Sequence, residues 1–214
     1  MKKEEKAKIL FQYIKKKYKG LIEKHYSHSK DPFRILITVL LSQRTREELT
    51  IEKSKFLFEK LRLGLDDFLK MDEDEIAELI KPVGFYREKA KRIKEICKMI
   101  KEKYKGKVPE TREQLLLLPG IGKKSADVVL NALNKETIAI DVHVKTITKR
   151  LGLTKANDYD EIQEELHRLF KPKERKYINL GLVLFGKEIC KAKPKCYVCP
   201  FNSICDYYKA HRKP

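Results

Sequence analysis

Four cysteines lie close together near the carboxyl end of the chain. They are spaced Cys190-x5-Cys196-x2-Cys199-x5-Cys205. Four thiolates in one loop can bind either a zinc ion or a four-iron cluster, and the ligand type alone does not distinguish the two. Unligated buried thiols are the alternative that this spacing disfavours. The spacing therefore predicts a metal centre, whereas the isolated Cys97 is expected in a hydrophobic core.

A glycine-rich turn in the middle of the chain has the composition of a phosphate-binding element. In the stretch LPGIGKK, Gly120 and Gly122 flank Ile121 and allow the backbone to turn tightly before a new helix. Backbone N–H groups at such a helix start can bind phosphate without reading bases. An ordinary pair of antiparallel helices is the alternative. The second glycine and the following lysines favour the phosphate-binding interpretation.

A carboxylate stands in an apolar stretch downstream of that turn. Asp141 lies within IAIDVHV, where an unpaired charge would be costly, so a partner or a function is expected. One alternative is that Asp141 caps the helix that follows, and the two roles are compatible. His143, two residues further on, is expected either to contact phosphate or to support the structure.

The charge balance indicates a polyanionic partner. The 214 residues include 49 Lys and Arg against 31 Asp and Glu, which leaves a formal charge of +18. Hydrophobic residues make up 42% of the chain, enough for a folded core. The length fits one compact domain or two small lobes. A nucleic acid is the natural partner for such an excess of positive charge.

The chain shows no segment suited to crossing a membrane or to export. Its most apolar stretch, Phe33 to Leu41, is interrupted by Arg34 and is much shorter than a bilayer requires. The start, MKKEEKAKIL, lacks the apolar core of a secretory signal. The odd number of cysteines also argues against a disulfide framework. We therefore expect a cytoplasmic protein in a reducing compartment.

The elements that must position these residues are almost all helical. Apolar residues recur at helical spacing over residues 4 to 24, and Asp31-Pro32 offers a helix start before the apolar run FRILITVLLS. The glycine-rich turn LPGIG predicts one helix before it, beginning near Thr111, and a second helix after it, opening around Lys123. The stretch ETIAIDVHV is the only β-like run. Other helical segments are SKFLFEKLRL, DEDEIAELIK, REKAKRIKEICKMIKEKY and residues 158 to 185.

Four motifs together resemble the endonuclease III family of helix-hairpin-helix DNA glycosylases. They are LLSQRT, GFYREKA, LPGIGKKSADVVL followed by IAIDVHV, and the terminal cysteines, in that order. The resemblance implies an all-α fold of two helical lobes with a C-terminal iron–sulfur cluster loop and DNA in the cleft between them. The implied parts are an N-terminal helix at 1–25 that packs with the cluster lobe, a six-helix lobe at 26–136 with the hairpin at about 111–131, and a C-terminal lobe at 137–214 with the cluster loop at 190–205.

The resemblance also assigns catalytic roles. The position of the family's nucleophilic lysine is occupied by Lys124, not by its neighbour Lys123. An amine can attack C1′ of a damaged nucleotide, expel the base and form a Schiff base that permits β-elimination without magnesium. By the same resemblance, Asp141 is the catalytic aspartate that stabilises the sugar cation and handles protons. For Lys124 the alternative is a surface lysine that binds phosphate.

Two loops are expected to hold the DNA open while a nucleotide is flipped out. The family inserts a glutamine from the first loop, but here Arg44 stands at that position and Gln43 precedes it, so either side chain could fill the gap. In the second loop Phe85 replaces an intercalating aliphatic residue, with core packing as the alternative. The expected DNA-binding residues are Gln43, Arg44, Phe85, Gly120, Gly122, Lys123, His143, Lys193 and Lys195.

The resemblance implies that the four cysteines hold a structural [4Fe-4S] cluster. The family spaces its ligands Cys-x6-Cys-x2-Cys-x5-Cys, and this chain has one residue fewer in the first gap. Lys191, Lys193 and Lys195 lie in that gap and would present a positive surface to the phosphate backbone.

The implied function is a bifunctional DNA glycosylase and abasic-site lyase that acts on oxidised pyrimidines such as thymine glycol. Its expected partner is double-stranded DNA with damaged bases or abasic sites, and we expect a monomer. One alternative is a monofunctional, mismatch-specific or alkylbase-specific glycosylase of the same superfamily. Thr38, where adenine-removing relatives have glutamate, weighs against an adenine-removing enzyme. Lys124, where thymine-mismatch relatives have tyrosine, weighs against a thymine-mismatch enzyme. The other alternative is a non-enzymatic helix-hairpin-helix module with a zinc loop.

Overall fold

The computed structural model describes residues 1–27 and 30–211, and over these ranges the prediction of an all-α fold is confirmed. No β-strand occurs in the two ranges, and none of their helices is long and apolar enough to span a membrane. A π-helical turn occupies Phe56–Lys60, and 3-10 turns occupy Cys196–Val198 and Asn202–Ile204. The α-helices are α1 (Lys3–Ser27), α2 (Pro32–Ser42), α3 (Glu47–Lys55), α4 (Leu65–Lys70), α5 (Glu73–Ile80), α6 (Tyr86–Lys103), α7 (Arg112–Leu116), α8 (Lys123–Ala132), α9 (Val142–Leu151), α10 (Tyr159–Leu169), α11 (Pro172–Glu188) and α12 (Asp206–His211).

The chain folds into two compact units, each with its own hydrophobic core. One unit is continuous and runs from Ser29 to Leu133; we call it the inserted unit. The other combines Met1–His28 with Asn134–Pro214, and we call it the terminal unit.

The inserted unit is built around α2, the most apolar helix of the sequence. Asp31 caps α2 by accepting hydrogen bonds from the backbone N–H groups of Phe33 and Arg34, and Pro32 occupies the first helical position, as predicted. Leu36, Ile37, Leu40 and Leu41 are fully buried. Because α2 packs against α3, α6 and α8, it supports both the loop that follows it and the hairpin that contains α8.

The terminal unit joins the two ends of the chain. Helix α1 packs along α11, which also packs against α9, and α12 contacts α9. Lys6 on α1 is 5% exposed and donates to the carbonyl of Leu151 at 2.8 Å and to Asp206 at 2.6 Å. These bonds connect the first helix, the end of α9 and the start of α12.

The β-like run ETIAIDVHV is not a strand. Residues 137–141 have no regular secondary structure, and Val142 already begins α9. Side chains satisfy the backbone of this segment: His167 Nε2 accepts from Ile138 N at 3.2 Å, Tyr159 Oη accepts from Ile140 N at 3.1 Å, and Asn179 Nδ2 donates to Ala139 O at 2.9 Å. Periodicity indicated an extended backbone but not that side chains would replace a neighbouring strand.

Candidate active site and cysteine loop

The hairpin is formed by α7, a turn at residues 118–122, and α8. Thr111 caps α7, and α8 begins at Lys123, as predicted. Gly120 has φ of +77°, and a Cβ there would lie 2.7 Å from the Cδ of Arg92. The turn therefore needs a glycine for its left-handed backbone. The first N–H groups of α8 are not used by the helical hydrogen-bond pattern, so they can bind an anion.

Lys123 and Lys124 lie in the first turn of α8, and both are exposed. The positive end of the helix dipole is at this terminus, which favours a bound anion beside the two ammonium groups. An exposed amine at this position can reach a substrate placed against the turn. Lys124 belongs to the inserted unit, whereas Asp141 belongs to the terminal unit.

Asp141 is the N-cap of α9. Its Oδ1 accepts a hydrogen bond from Val144 N at 2.9 Å, and its backbone is extended, with φ of −108°. The carboxyl is half-buried, and within residues 1–27 and 30–211 its Oδ2 makes no hydrogen bond. The capping role expected from the sequence is thus present, and one oxygen remains for chemistry. The next residue, Val142, is 71% exposed.

His143 packs against the backbone of α11. A Cβ added to Gly186 would lie 2.3 Å from His143 Nδ1, so the imidazole occupies the space that a side chain at 186 would fill. The ring is half-buried. The ring is thus held against α11 within the terminal unit.

Arg44 and Phe85 lie in separate loops of the inserted unit and stack on each other. The guanidinium carbon of Arg44 is 5.3 Å from the centre of the Phe85 ring. Phe85 is 61% exposed, which excludes the core-packing alternative, and Arg44 is also exposed. Both have left-handed backbones, with φ of +50° and +58°, which is uncommon for residues other than glycine. A Cβ on Gly84 would lie 2.5 Å from the Arg44 carbonyl oxygen, so only glycine permits this close approach of the loops.

Gln43, unlike its neighbour Arg44, forms hydrogen bonds with the hairpin. Its Nε2 donates to Gly120 O at 2.8 Å and to Ser125 Oγ at 3.2 Å. The loop after α2 is therefore bonded directly to the hairpin turn and to the first turn of α8.

Lys89 is a site residue that the sequence reasoning missed. It is 2% exposed, and its ammonium donates to Leu41 O at 2.8 Å, Gln43 O at 2.5 Å and Thr45 Oγ1 at 3.0 Å. Burial, with a smaller contribution from the charge of Arg92, lowers the pKa of Lys89 to about 8. The available signal was its position on the buried face of α6, four residues before Ile93.

The four cysteines 190, 196, 199 and 205 line one cavity of the terminal unit. Burial, together with the nearby thiols of the other three cysteines, raises the pKa of Cys199 to about 11. Burial also raises the pKa of Cys196, again with a contribution from Cys205 and Cys190. In the described ranges, no three His, Cys, Asp or Glu side chains are grouped to hold a metal ion. The four thiols line one cavity, and four thiolates are a donor set that fits either a zinc ion or a [4Fe-4S] cluster. Cys97 is fully buried, as predicted.

Arg150 at the end of α9 is a second residue that the sequence did not indicate. Its guanidinium donates to the Sγ of Cys190 at 3.3 Å and to the carbonyl of Lys191 at 2.8 Å. It also lies 4.8 Å from the centre of the Tyr207 ring. These contacts fix the first part of the cysteine loop to α9.

The outer surface of the cysteine loop is basic and aromatic. Lys191, Lys193 and Lys195 are exposed, and Tyr197 between two of the cysteines is 79% exposed. Such a surface is suited to contact with a phosphate backbone.

Comparison with known proteins identifies the class. The sequence model of the HhH-GPD superfamily of base excision DNA repair proteins matches residues 37–172. The chain is 42% identical over 185 residues to endonuclease III of Thermotoga maritima, with 86% of each protein covered. It is 37% identical over 178 residues to endonuclease III of Bacillus subtilis, with 82% of this chain and 81% of the relative covered.

Solved structures agree with the sequence relatives. A trapped covalent intermediate of endonuclease III with DNA, containing an estranged adenine, has a TM-score of 0.85 and 30% identity, and each chain is fully covered. A thermostable thymine-DNA glycosylase has a TM-score of 0.84 and 28% identity, with 96% of this chain and 98% of that chain covered. The fold and its helix-hairpin-helix motif thus define a DNA glycosylase of base excision repair. Within that superfamily, the chain belongs to the endonuclease III family.

Proposed function

We propose that this glycosylase is bifunctional: it removes oxidised pyrimidines such as thymine glycol and then cleaves the strand 3′ to the abasic site. Its substrate is double-stranded DNA that contains a damaged base or an abasic site. We further propose that the enzyme is a monomer and acts in the cytoplasm. The observation that carries this proposal is the exposed Lys124 in the first turn of α8, directly after the Gly120–Gly122 turn.

Lys124 acts as the nucleophile. Its amine attacks C1′ of the flipped nucleotide, the bond from C1′ to the base breaks, and the base leaves with the electron pair and takes up a proton. Ring opening then gives a Schiff base between C1′ and the Lys124 nitrogen. A proton is removed from C2′, the bond from C3′ to the phosphate oxygen breaks, and water finally hydrolyses the Schiff base. These steps need no magnesium.

Asp141 acts beside the sugar. Its carboxylate stabilises positive charge on the sugar as the base departs and moves protons during the attack. The hydrogen bond from Val144 N engages Oδ1, so we assign this chemistry to Oδ2.

The residues proposed to contact DNA fall into three groups. Backbone N–H groups after Gly120 and Gly122, together with Lys123, bind the phosphate next to the lesion. The side chains that fill the space of the flipped nucleotide come from the two loops that contain Gln43, Arg44 and Phe85. The remaining contacts are proposed for His143, Lys193 and Lys195.

We further propose that Cys190, Cys196, Cys199 and Cys205 hold a [4Fe-4S] cluster. Support comes from the shared cavity of the four thiols, from the hydrogen bond that Arg150 gives to Cys190, and from the family to which the chain belongs. The cluster contributes structure rather than reaction chemistry, because it links residues 190–205 into a rigid basic surface.

A thymine-mismatch glycosylase is the second candidate function, since a thymine-DNA glycosylase matches this fold with a TM-score of 0.84. The two candidates differ in their product. A monofunctional enzyme releases the base and leaves an intact strand with an abasic site, whereas a lysine nucleophile also cleaves the strand.

Borohydride trapping tests the proposal. Wild-type protein, Lys124→Ala and the matched control Lys123→Ala are incubated with a duplex carrying one thymine glycol, reduced, and sized by denaturing gel. We expect a covalent adduct with wild type and Lys123→Ala and none with Lys124→Ala. An adduct with Lys124→Ala would refute the assignment of the nucleophile, and base release without any adduct would favour the monofunctional candidate.

A further inference from the structure

The side-chain amide of Gln43 is already engaged within the protein. Nε2 has two hydrogens, and two acceptors lie within reach, Gly120 O at 2.8 Å and Ser125 Oγ at 3.2 Å. To enter the space of a flipped nucleotide, Gln43 would have to break both bonds. Its side chain is also half-buried, whereas that of Arg44 is exposed.

The two acceptors of Gln43 lie on either side of Lys124 in the sequence. Gly120 belongs to the hairpin turn, and Ser125 is the residue next to Lys124. The amide therefore connects the loop after α2 with the segment that presents the proposed nucleophile. A movement of this loop relative to the hairpin would break at least one of the two bonds.

The backbone beneath Gln43 is held independently by Lys89. The ammonium bonds the carbonyl of Leu41 in the last turn of α2, the carbonyl of Gln43 and the hydroxyl of Thr45, so a single buried donor holds the end of α2 and the start of the loop. The loop backbone thus has little freedom to rotate Gln43 outward.

Arg44, in contrast to Gln43, is exposed and lies against the second loop. Its left-handed backbone follows directly after the fixed Gln43, and its guanidinium lies over the Phe85 ring. Gly84 allows the two loops to touch. Arg44 and Phe85 thus form one exposed pair, which we call the wedge, and its base is tied to the hairpin through Gln43.

We propose that Gln43 is a positioning residue that fixes the wedge relative to Lys124, and that Arg44 rather than Gln43 fills the space left by the flipped nucleotide. This inference rests on the proposed function, because it takes Lys124 as the group to which the wedge must be aligned. It predicts that losing the Gln43 amide weakens lesion recognition only while Arg44 is present.

The test measures recognition without chemistry. Dissociation constants are determined by fluorescence anisotropy for a duplex with a tetrahydrofuran abasic analogue and for the same duplex undamaged. The dissociation constant for the undamaged duplex divided by that for the abasic duplex gives the recognition ratio. This ratio is compared among wild type, Gln43→Leu, Arg44→Ala and the double variant, with exposed Gln12→Leu on α1 as the matched control. Thermal melting checks that each variant is folded.

We expect Gln43→Leu to lower the ratio about tenfold, the size appropriate to two neutral hydrogen bonds, and Gln12→Leu to leave it unchanged. Arg44→Ala should lower the ratio at least as much, and adding Gln43→Leu to it should have no further effect. Ser125→Ala removes one of the two acceptors and should lower the ratio about threefold. It also provides the test if Gln43→Leu does not fold.

Three results would overturn the inference: an unchanged ratio in Gln43→Leu, additive effects of Gln43→Leu and Arg44→Ala, or loss of recognition in Gln43→Leu with recognition retained in Arg44→Ala. The last result would show that Gln43 itself fills the gap. The tetrahydrofuran analogue cannot form a Schiff base, so failure of the lyase proposal would appear separately as wild-type recognition without borohydride trapping.

Discussion

Replacement of Lys89 by methionine should change how the stability of the protein depends on pH. The ammonium is 2% exposed, and within residues 1–27 and 30–211 its hydrogen-bond partners are the uncharged oxygens of Leu41, Gln43 and Thr45. Burial, with a smaller contribution from the charge of Arg92, disfavours the charged form and lowers the pKa of Lys89 from 10.5 to about 8. Methionine has a similar length and carries no titrating group.

The direction of the effect follows from the two pKa values. Between pH 8 and 10.5, the unfolded chain binds a proton at Lys89 that the folded protein does not bind. Unfolding then takes up a proton, so raising the pH opposes it and the free energy of unfolding increases. The difference between the two pKa values corresponds to about 3 kcal/mol. For a chain of this size that is about 6–12 °C in Tm.

The assay is thermal melting followed by circular dichroism, from pH 7 to 10.5 at constant ionic strength. Wild type, Lys89→Met and the exposed control Lys91→Met are compared. The Tm of wild type should rise relative to that of Lys89→Met as the pH increases, and Lys91→Met should follow wild type. If the difference in Tm between wild type and Lys89→Met is the same at every pH, the buried ammonium does not titrate as described and the reasoning is wrong.

Two further predictions concern the terminal unit. Asp141→Asn keeps a side-chain oxygen that can cap α9, so the Tm should change by less than about 2 °C while single-turnover base release falls about 100-fold or more; an undiminished rate would reduce Asp141 to a helix cap. Purified wild type should be brown and contain roughly four iron atoms per chain, and Cys199→Ser should lose both colour and iron whereas Cys97→Ser keeps them; zinc in place of iron would contradict the cluster.

Signals that depend on neighbouring residues made much of the fold predictable. Helix starts at Asp31-Pro32, Thr111 and Asp158 were readable because a capping side chain and the N–H groups that it accepts lie within three residues. The hairpin turn was readable for the same reason, since its glycines and the first residue of α8 are adjacent. The cysteine spacing likewise belongs to one short segment.

Features that depend on distant partners were not predictable. Lys89 donates to carbonyls 46 and 48 residues away, and Arg150 donates to Cys190 40 residues away. No local pattern encodes such pairs. The prediction of a β-like run before Asp141 was wrong for the same reason, because the side chains that bond to its backbone lie on α10 and α11.

The order of the two units along the chain has a consequence for synthesis on the ribosome. The inserted unit is continuous from Ser29 to Leu133, so all of its sequence has been translated while α9 to α12 are still to be made. In the terminal unit, by contrast, α1 cannot pack until its main packing partner α11, which begins more than 140 residues later, has been translated. We therefore expect the unit with the hairpin to fold first, during translation, and α1 to stay exposed to chaperones until the last quarter of the chain emerges.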